Sequence, residues 1–145
     1  MNDKAEHETG PYLLDDQVGY ILRLASQRHA AIFQAHAVEG LTATQFAALV
    51  RLSEHGKCSQ NRLGRLAAMD VATIKGVVDR LRQKGLTLTE PDPDDKRRTL
   101  ISLSAEGEAL VARMKEAGAR ITEETLAPLS PAEQRNLIRL LQKIS

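Results

Sequence analysis

The charged run Asp94-Asp95-Lys96-Arg97-Arg98 could bind a polyanion, because it places three cations directly after two carboxylates. A narrow minor groove of DNA attracts an inserted arginine side chain. A neighbouring carboxylate can hold that arginine in an extended pose through a charge-assisted hydrogen bond. The run therefore predicts a tip that binds DNA, and a solvated charged turn is the alternative.

The segment Asp70–Leu81 is a second candidate for contact with DNA, because an apolar stripe leaves small and polar residues on its outer face. The major groove admits one helix, whose first residues meet the base edges. Thr73 and Lys75 can hydrogen-bond to bases. Ala72 can touch a thymine methyl group, and Gly76 permits a close approach. The alternative is an ordinary amphipathic helix with a charged outer face.

Enzymatic and metal chemistry find little support in the sequence. It contains no P-loop, no Gly-x-Ser-x-Gly, no His-Glu-x-x-His and no dinucleotide fingerprint. The candidate ligands and nucleophiles lack the clustering that metal binding needs; they are His7, His29, His36, His55 and Cys58. We therefore predict a protein that is not an enzyme, that uses no cofactor or metal ion, and whose cysteine is a buried, inert thiol.

Length and composition set the class of protein. A chain of 145 residues is the size of one domain, and 42% apolar with 27% charged residues is normal for a globular protein. No apolar run reaches the roughly 18 residues that a membrane span needs. The polar start of the chain is unlike a secretory signal. We expect a cytoplasmic protein that makes no contact with a membrane.

The net charge of +1 hides an uneven distribution. Leu41–Ser104 carries 11 Lys and Arg against 7 Asp and Glu, whereas the rest of the chain carries 9 against 12. A basic middle between acidic flanks indicates that only the middle meets a polyanion. A solvated basic face is the alternative explanation.

Periodicity and capping signals predict the first two helices. Apolar residues at helical spacing predict a long helix from about Leu13 to His36, which Gly40 ends. Thr42 and Gln45 have the spacing of a capping box and begin a second helix. Gly56 is its expected end.

Two short helices and a hairpin are predicted next. Ser59 and Asp70 are the expected caps of the two helices. Residues 86–89 alternate in polarity as a half-buried strand does, residues 91–95 form a turn, and residues 98–103 return as a second strand. Together they predict a β-hairpin with an exposed, charged tip.

The C-terminal part is predicted to be helical. Ser104 caps a helix to about Ala127, whose apolar residues step by four, three and four, the pattern of a seam for another helix. The run Ser130-Pro131-Ala132-Glu133 begins a last helix. The apolar stripes at the two ends of the chain predict a partner subunit that covers them. An intrachain helical pair is the alternative.

The expected fold is mainly α with a small β-hairpin wing, a winged helix-turn-helix with a helical dimerisation region. We divide the chain into a flexible lead-in (1–12), a dimerisation helix (13–40), a DNA-binding lobe (41–104) and C-terminal dimerisation helices (105–145). A winged-helix module that binds protein is the alternative function. Salt distinguishes the two, because DNA binding through many phosphates weakens steeply as the salt concentration rises.

Three stretches match the pattern of one family in the right order. Asp95-Lys96-Arg97 followed by Leu103-Ser104-Ala105-Glu106-Gly107 is similar to a wing pattern of Asp-x-Arg and then Leu-(Thr/Ser)-x-x-Gly. Residues 77–86 are similar to the end of that family's recognition helix, and residues 41–46 to the opening of its second helix. Over nearly its whole length the chain resembles the multiple antibiotic resistance regulator (MarR) family.

The resemblance implies a triangular homodimer whose first, fifth and sixth helices form the dimerisation part. It implies a repressor that sits on a palindromic operator and that a small molecule releases. By position, Arg97 is the minor-groove residue of the wing and Asp95 its orienting partner. The other residues that the resemblance places at DNA are Ser59, Gln60, Asn61, Arg62, Ala72, Thr73, Lys75, Gly76, Arg80 and Arg98.

The resemblance also implies a ligand site between the dimer part and the DNA lobe. His29 is expected on the buried stripe of the first helix, where a histidine with an arginine nearby could clamp a carboxylate or a phenol. The alternative for His29 is a core or interface histidine whose hydrogen bonds are all made within the protein. For Phe46 and Met114 the alternative is an ordinary role in the hydrophobic core. The candidate ligand-binding residues are Arg23, Ser26, Arg28, His29, Phe46 and Met114.

Residues 15–23 and 42–46 resemble the branch of this family that controls the degradation of aromatic acids. The resemblance implies an effector that is an aromatic carboxylate or its coenzyme A thioester. The thioester requires further cations for its phosphates, and Arg28, Arg113 and Arg120 are the candidates.

Overall fold

A computed structural model describes residues 10–145 and confirms a mainly helical fold with a small sheet. Its helices in that range are α1 (Val18–Ala35), α2 (Ala43–His55), α3 (Gln60–Leu66), α4 (Val71–Gln83), α5 (Ala105–Leu126) and α6 (Pro131–Lys143). Its strands there are β1 (Cys58–Ser59), β2 (Thr87–Pro91) and β3 (Thr99–Leu103). The order of helices and hairpin is the predicted one.

The first helix differs from the prediction at both ends. Residues Leu14–Asp16 form a separate 3₁₀ turn, and α1 begins only at Val18. The helix ends at Ala35, so Gly40 does not end it but lies in the following loop with φ of 66°. Of the predicted lead-in, residues 1–9 and with them His7 lie outside the described range, and residues 10–12 have no regular structure.

The sheet has three antiparallel strands in the order β1-β3-β2, one more than the predicted hairpin. Strand β1 has no signal in the sequence, because two residues are too short for an alternating pattern; its Cys58 pairs with Ile101. Pro91, which the sequence predicts in the turn, is the last residue of β2, opposite Thr99. Proline is tolerated there because β2 is an edge strand, whose outward N–H groups need no partner.

The core lies between α2, α3, α4, β3 and α5. Its largest fully buried side chains are Leu49, Leu63, Ile74, Leu81, Ile101 and Met114. Cys58 is buried beside them, as predicted. Desolvation raises the pKa of its thiol, against the smaller opposing effect of the nearby Arg62 charge. The thiol is therefore mostly in the neutral form, which is the unreactive one.

One joint ties α5 to the turn that follows α4. The Ser104 hydroxyl accepts a hydrogen bond from the Gly107 N–H at 3.0 Å and donates one to the Gly85 carbonyl at 2.6 Å. The Ser104 N–H donates to the Leu86 carbonyl at 3.0 Å. The hydroxyl thus caps α5 and also satisfies a carbonyl at the end of the preceding helix. We call this arrangement the Ser104 joint.

Replacing Ser104 with alanine is expected to lower the free energy of unfolding by about 2 kcal/mol, from one lost helix cap and one lost hydrogen bond of about 1 kcal/mol each. Ser130→Ala is the matched control, because the Ser130 hydroxyl caps α6 and, within residues 10–145, donates to no second element. That variant is expected to lose only about 1 kcal/mol. Urea denaturation measures both, and equal losses would contradict the double role of Ser104.

Both ends of the chain keep their apolar side chains on the surface of the single chain. Neither α1 nor α6 contains a buried residue. The exposed apolar residues of these two regions are Tyr12, Leu13, Leu14, Val18, Ile21, Leu22, Leu24, Leu137, Ile138, Leu140, Leu141 and Ile144. Within residues 10–145, no helix combines the length and the apolar character that crossing a bilayer requires.

Candidate nucleic-acid interface

Helix α4 presents the predicted outer face. The Asp70 carboxylate caps the helix by accepting a hydrogen bond from the Thr73 N–H at 2.7 Å, and this bond holds the pKa of Asp70 below its ordinary value. The inner stripe consists of Ile74, Val77, Val78 and Leu81, all buried. The five residues assigned to DNA contact on this helix are exposed; they are Ala72, Thr73, Lys75, Gly76 and Arg80.

Two of these residues have room for a base or a phosphate. Apart from its chain neighbours and the backbone of the helix itself, no heavy atom of the described chain lies within 4 Å of the position that a Cβ would take on Gly76. The Lys75 ammonium lies 3.6 Å from the Asp79 carboxylate in an exposed ion pair. Exposed pairs of this kind contribute little to stability, so Lys75 can exchange this partner for a base at small cost.

Arg97 extends from the wing tip into solvent, and its side chain is 94% exposed. Asp95 lies at its base: the carboxylate accepts a hydrogen bond from the Arg97 N–H at 3.0 Å, and Arg97 Nε lies 3.5 Å away. Arg98 Nε lies 3.8 Å from the other carboxylate oxygen. Asp95 therefore shapes the turn and orients both arginines, while the Arg97 side chain stays exposed with Asp95 as its ion-pair partner.

A cleft of about 330 Å³ joins α3 to the wing. The predicted residues Ser59, Gln60, Asn61, Arg97 and Arg98 line it, and Arg62 is exposed nearby on α3. Arg65 lines it too and is not among the predicted DNA-binding residues. Its position four residues after Asn61, on the same face of α3, was the available signal. The Ser59 hydroxyl already caps α3 by accepting from the Arg62 N–H at 3.3 Å.

A second cleft, of about 290 Å³, lies between the start of α2 and the outer face of α4. Thr42 and Thr44 line one wall, and Thr73, Gly76 and Arg80 lie on the other side. The two threonines were not among the predicted DNA residues. Helical periodicity within α2 could not reveal them, because the neighbourhood arises only when α2 packs against α4.

The structure leaves His29 on the surface of the single chain. No residue of α1 is buried there, so the predicted burial of its stripe requires a partner subunit. Its Nδ1 shares a hydrogen bond of 2.9 Å with Thr125 Oγ1 on α5. Arg28 is occupied as well, because its guanidinium donates to the carbonyls of Thr125 and Glu124 at 2.7 and 2.9 Å. The Arg28 guanidinium therefore hydrogen-bonds to carbonyl groups at the end of α5 and is not free to bind the carboxylate of a ligand.

The other candidates for the ligand site do not converge on His29. The Arg23 guanidinium lies 5.5 Å from the centre of the Tyr20 ring. Phe46 packs edge-on against Phe33 at a centroid distance of 5.6 Å, and Met114 is fully buried in the core. Phe46 is itself packed against the core cluster that contains Met114. Arg113, a candidate for thioester phosphates, lies 3.3 Å from the Glu39 carboxylate.

Ser26 and His29 do share one feature, a largely apolar groove of about 520 Å³ between α1, the end of α5 and α6. Leu22, Leu137 and Leu141 contribute to its walls. Metal binding has no candidate site in residues 10–145, where no three His, Cys, Asp or Glu side chains come together.

Comparison with known proteins identifies relatives over nearly the full chain. The model of the MarR family matches residues 41–99. The HTH-type transcriptional repressor NicR of Pseudomonas putida is 40% identical over 135 residues, which are 92% of this chain and 85% of that protein. A probable transcriptional regulator from Pseudomonas aeruginosa is 54% identical, with a TM-score of 0.89 over 92% of this chain and 100% of that chain.

A further solved structure concerns BpsR of Bordetella bronchiseptica and the regulation of its DNA binding by 6-hydroxynicotinic acid. It is 41% identical to this chain, with a TM-score of 0.88 over 93% of this chain and 97% of the other.

Proposed function

Because the chain belongs to the MarR family of winged-helix transcriptional regulators, we propose that it binds a palindromic operator as a homodimer, with α4 in the major groove and Arg97 in the minor groove. The exposed Arg97 side chain, oriented by Asp95 at the wing tip, is the observation that carries this proposal. The protein acts in the cytoplasm, where its operator lies, and catalyses no reaction.

The homodimer follows from the exposed apolar surfaces of α1 and α6. A single chain that left both stripes in water would expose a large apolar area, which is typical of an interface. A two-fold dimer also matches the symmetry of a palindromic operator. The proposed division therefore keeps residues 13–40 and 105–145 for dimerisation and residues 41–104 for DNA.

A salt series tests the DNA function against a protein-binding winged helix. The probe is the intergenic DNA upstream of the gene, with a scrambled duplex of equal length as control. Each phosphate contact contributes about −0.9 to the slope of log K against log salt concentration. We expect a steep negative slope and preference for the upstream DNA. Absence of binding at low salt would contradict the proposal.

Gly76→Ala is expected to separate folding from DNA binding. Alanine has a higher helix propensity, and the space beside Gly76 is open, so the free energy of unfolding rises by about 0.8 kcal/mol. The added methyl group meets the DNA in both half-sites, and a steric clash of roughly 1 kcal/mol in each lowers the affinity by about thirtyfold. Urea denaturation and a binding titration measure the two effects; unchanged affinity would remove Gly76 from the interface.

The effector is an aromatic carboxylate or its thioester. Two observations support this class: the regulation of the Bordetella relative by 6-hydroxynicotinic acid, and the apolar groove of this chain, where His29 and Thr125 supply polar groups. The free acid is the better candidate of the two, since Arg28 and Arg113 already have partners for their guanidinium groups. An acid has one charge to satisfy, whereas coenzyme A adds phosphates.

Release of the upstream DNA tests the effector class. Compounds to be added are 6-hydroxynicotinic acid, benzoate, benzoyl coenzyme A, and nicotinamide as a control that lacks the carboxylate. An effector that weakens DNA binding by about 100-fold must bind the DNA-free form more tightly by the same factor. We expect an acid to achieve this and nicotinamide to have no effect. Release by nicotinamide alone would exclude carboxylate recognition.

A further inference from the structure

Val71, the first residue of α4, carries an aliphatic side chain that the fold does not use. It is 70% exposed. The start of α4 depends on its neighbours instead: Asp70 is the cap, and Met69 packs against the core cluster. Valine also has a lower helix propensity than alanine. Neither the core nor the helix therefore explains a valine at this position.

The position of Val71 is on the surface proposed to meet DNA. It lies at the N-terminal end of α4, the end of a recognition helix whose residues contact base edges. Ala72 and Thr73 follow it directly, and Lys75 lies one turn further along the same helix face. All three are exposed. The isopropyl group thus forms an apolar spot beside hydrogen-bonding groups.

We infer that Val71 reads the 5-methyl group of a thymine in each half-site of the operator. That methyl group is the apolar feature of the major groove, whereas the rest of each base edge offers donors and acceptors. Contact between the two apolar groups removes both from water, which is favourable. Cytosine and uracil lack the methyl group and gain nothing from the contact. The inference rests on the proposed function, because it requires α4 to lie in the major groove.

The test is a double-mutant cycle between protein and DNA. The probe is the tightest-binding duplex selected from a randomised pool by the full-length protein. Each thymine of one half-site is replaced in turn by deoxyuridine, which removes only the methyl group. We expect one position at which the wild-type protein loses about fourfold in affinity, the effect of one buried methyl group. Val71→Ala should lose about sixteenfold on the thymine duplex, because the homodimer loses the contact in both half-sites, and it should bind the thymine and deoxyuridine duplexes equally well.

Arg97→Ala is the matched control, because it should weaken thymine and uracil duplexes equally and keep the wild-type preference. Circular dichroism confirms that Val71→Ala is folded. Val71→Ala that retains the full thymine preference overturns the inference, and so does a wild-type protein indifferent to every replacement. Either result leaves the proposed function standing. A protein that selects no duplex from the pool overturns the proposed function together with the inference.

Discussion

Replacing Arg97 with alanine is expected to weaken operator binding by roughly a hundredfold while leaving the dimer intact. A hydrogen bond to a charged group contributes about 1.5 kcal/mol, which is close to a tenfold change in affinity. A symmetric dimer loses the contact twice. Because the Arg97 side chain is 94% exposed and packs against no core element, its removal does not disturb folding.

Lys96→Ala is the control for Arg97→Ala, because it removes the same charge from the adjacent position of the wing tip. Loss of one phosphate contact from each subunit lowers the salt slope by about 1.8 in total. We expect Lys96→Ala to weaken binding less than Arg97→Ala does, because it loses only a salt-dependent phosphate contact and no side chain inserted into the minor groove. Equal losses of operator affinity in the two variants would mean that Arg97 contributes only its positive charge and no specific contact with the minor groove.

Replacing Gly107 with alanine is expected to destabilise the fold by roughly 2 kcal/mol. The added Cβ would lie 2.2 Å from the Leu86 carbonyl oxygen, which is a backbone atom held by the Ser104 joint. Either α5 or the turn after α4 must move, and because the clash is with a backbone atom the cost of overpacking is about 3 kcal/mol, at the upper end of its usual range. The gain of roughly 0.8 kcal/mol in helix propensity offsets only part of the loss.

Gly76→Ala provides the comparison for Gly107→Ala, because it makes the same chemical change in a helix where the space is open. The two variants should shift the urea midpoint in opposite directions at equal protein concentration, which matters because a dimer's stability depends on concentration. A stabilised Gly107→Ala variant would show that the close approach to Leu86 relaxes without cost. The backbone at the Ser104 joint would then move more easily than its hydrogen bonds indicate.

Local signals in the sequence determined where most elements begin. The side chains of Thr42, Ser59, Asp70, Ser104 and Ser130 each accept a hydrogen bond from the backbone three residues further on, as predicted. A cap depends on residues within one helical turn, so its pattern is readable without tertiary information. The wing tip and the outer face of α4 were predictable for the same reason, since each is a continuous segment.

Only the tertiary structure decided which residues meet across the chain. Arg28 and His29 bind the end of α5, and these contacts join positions 96 and 97 residues apart. Strand β1 exists only because Cys58 and Ser59 pair with β3, and Thr42 and Thr44 line their cleft only because α2 packs against α4. Such contacts depend on how the elements pack and leave no period in the sequence. The spacing of apolar residues thus predicted the apolar face of α1. Only the packed structure shows that this face stays exposed in a single chain.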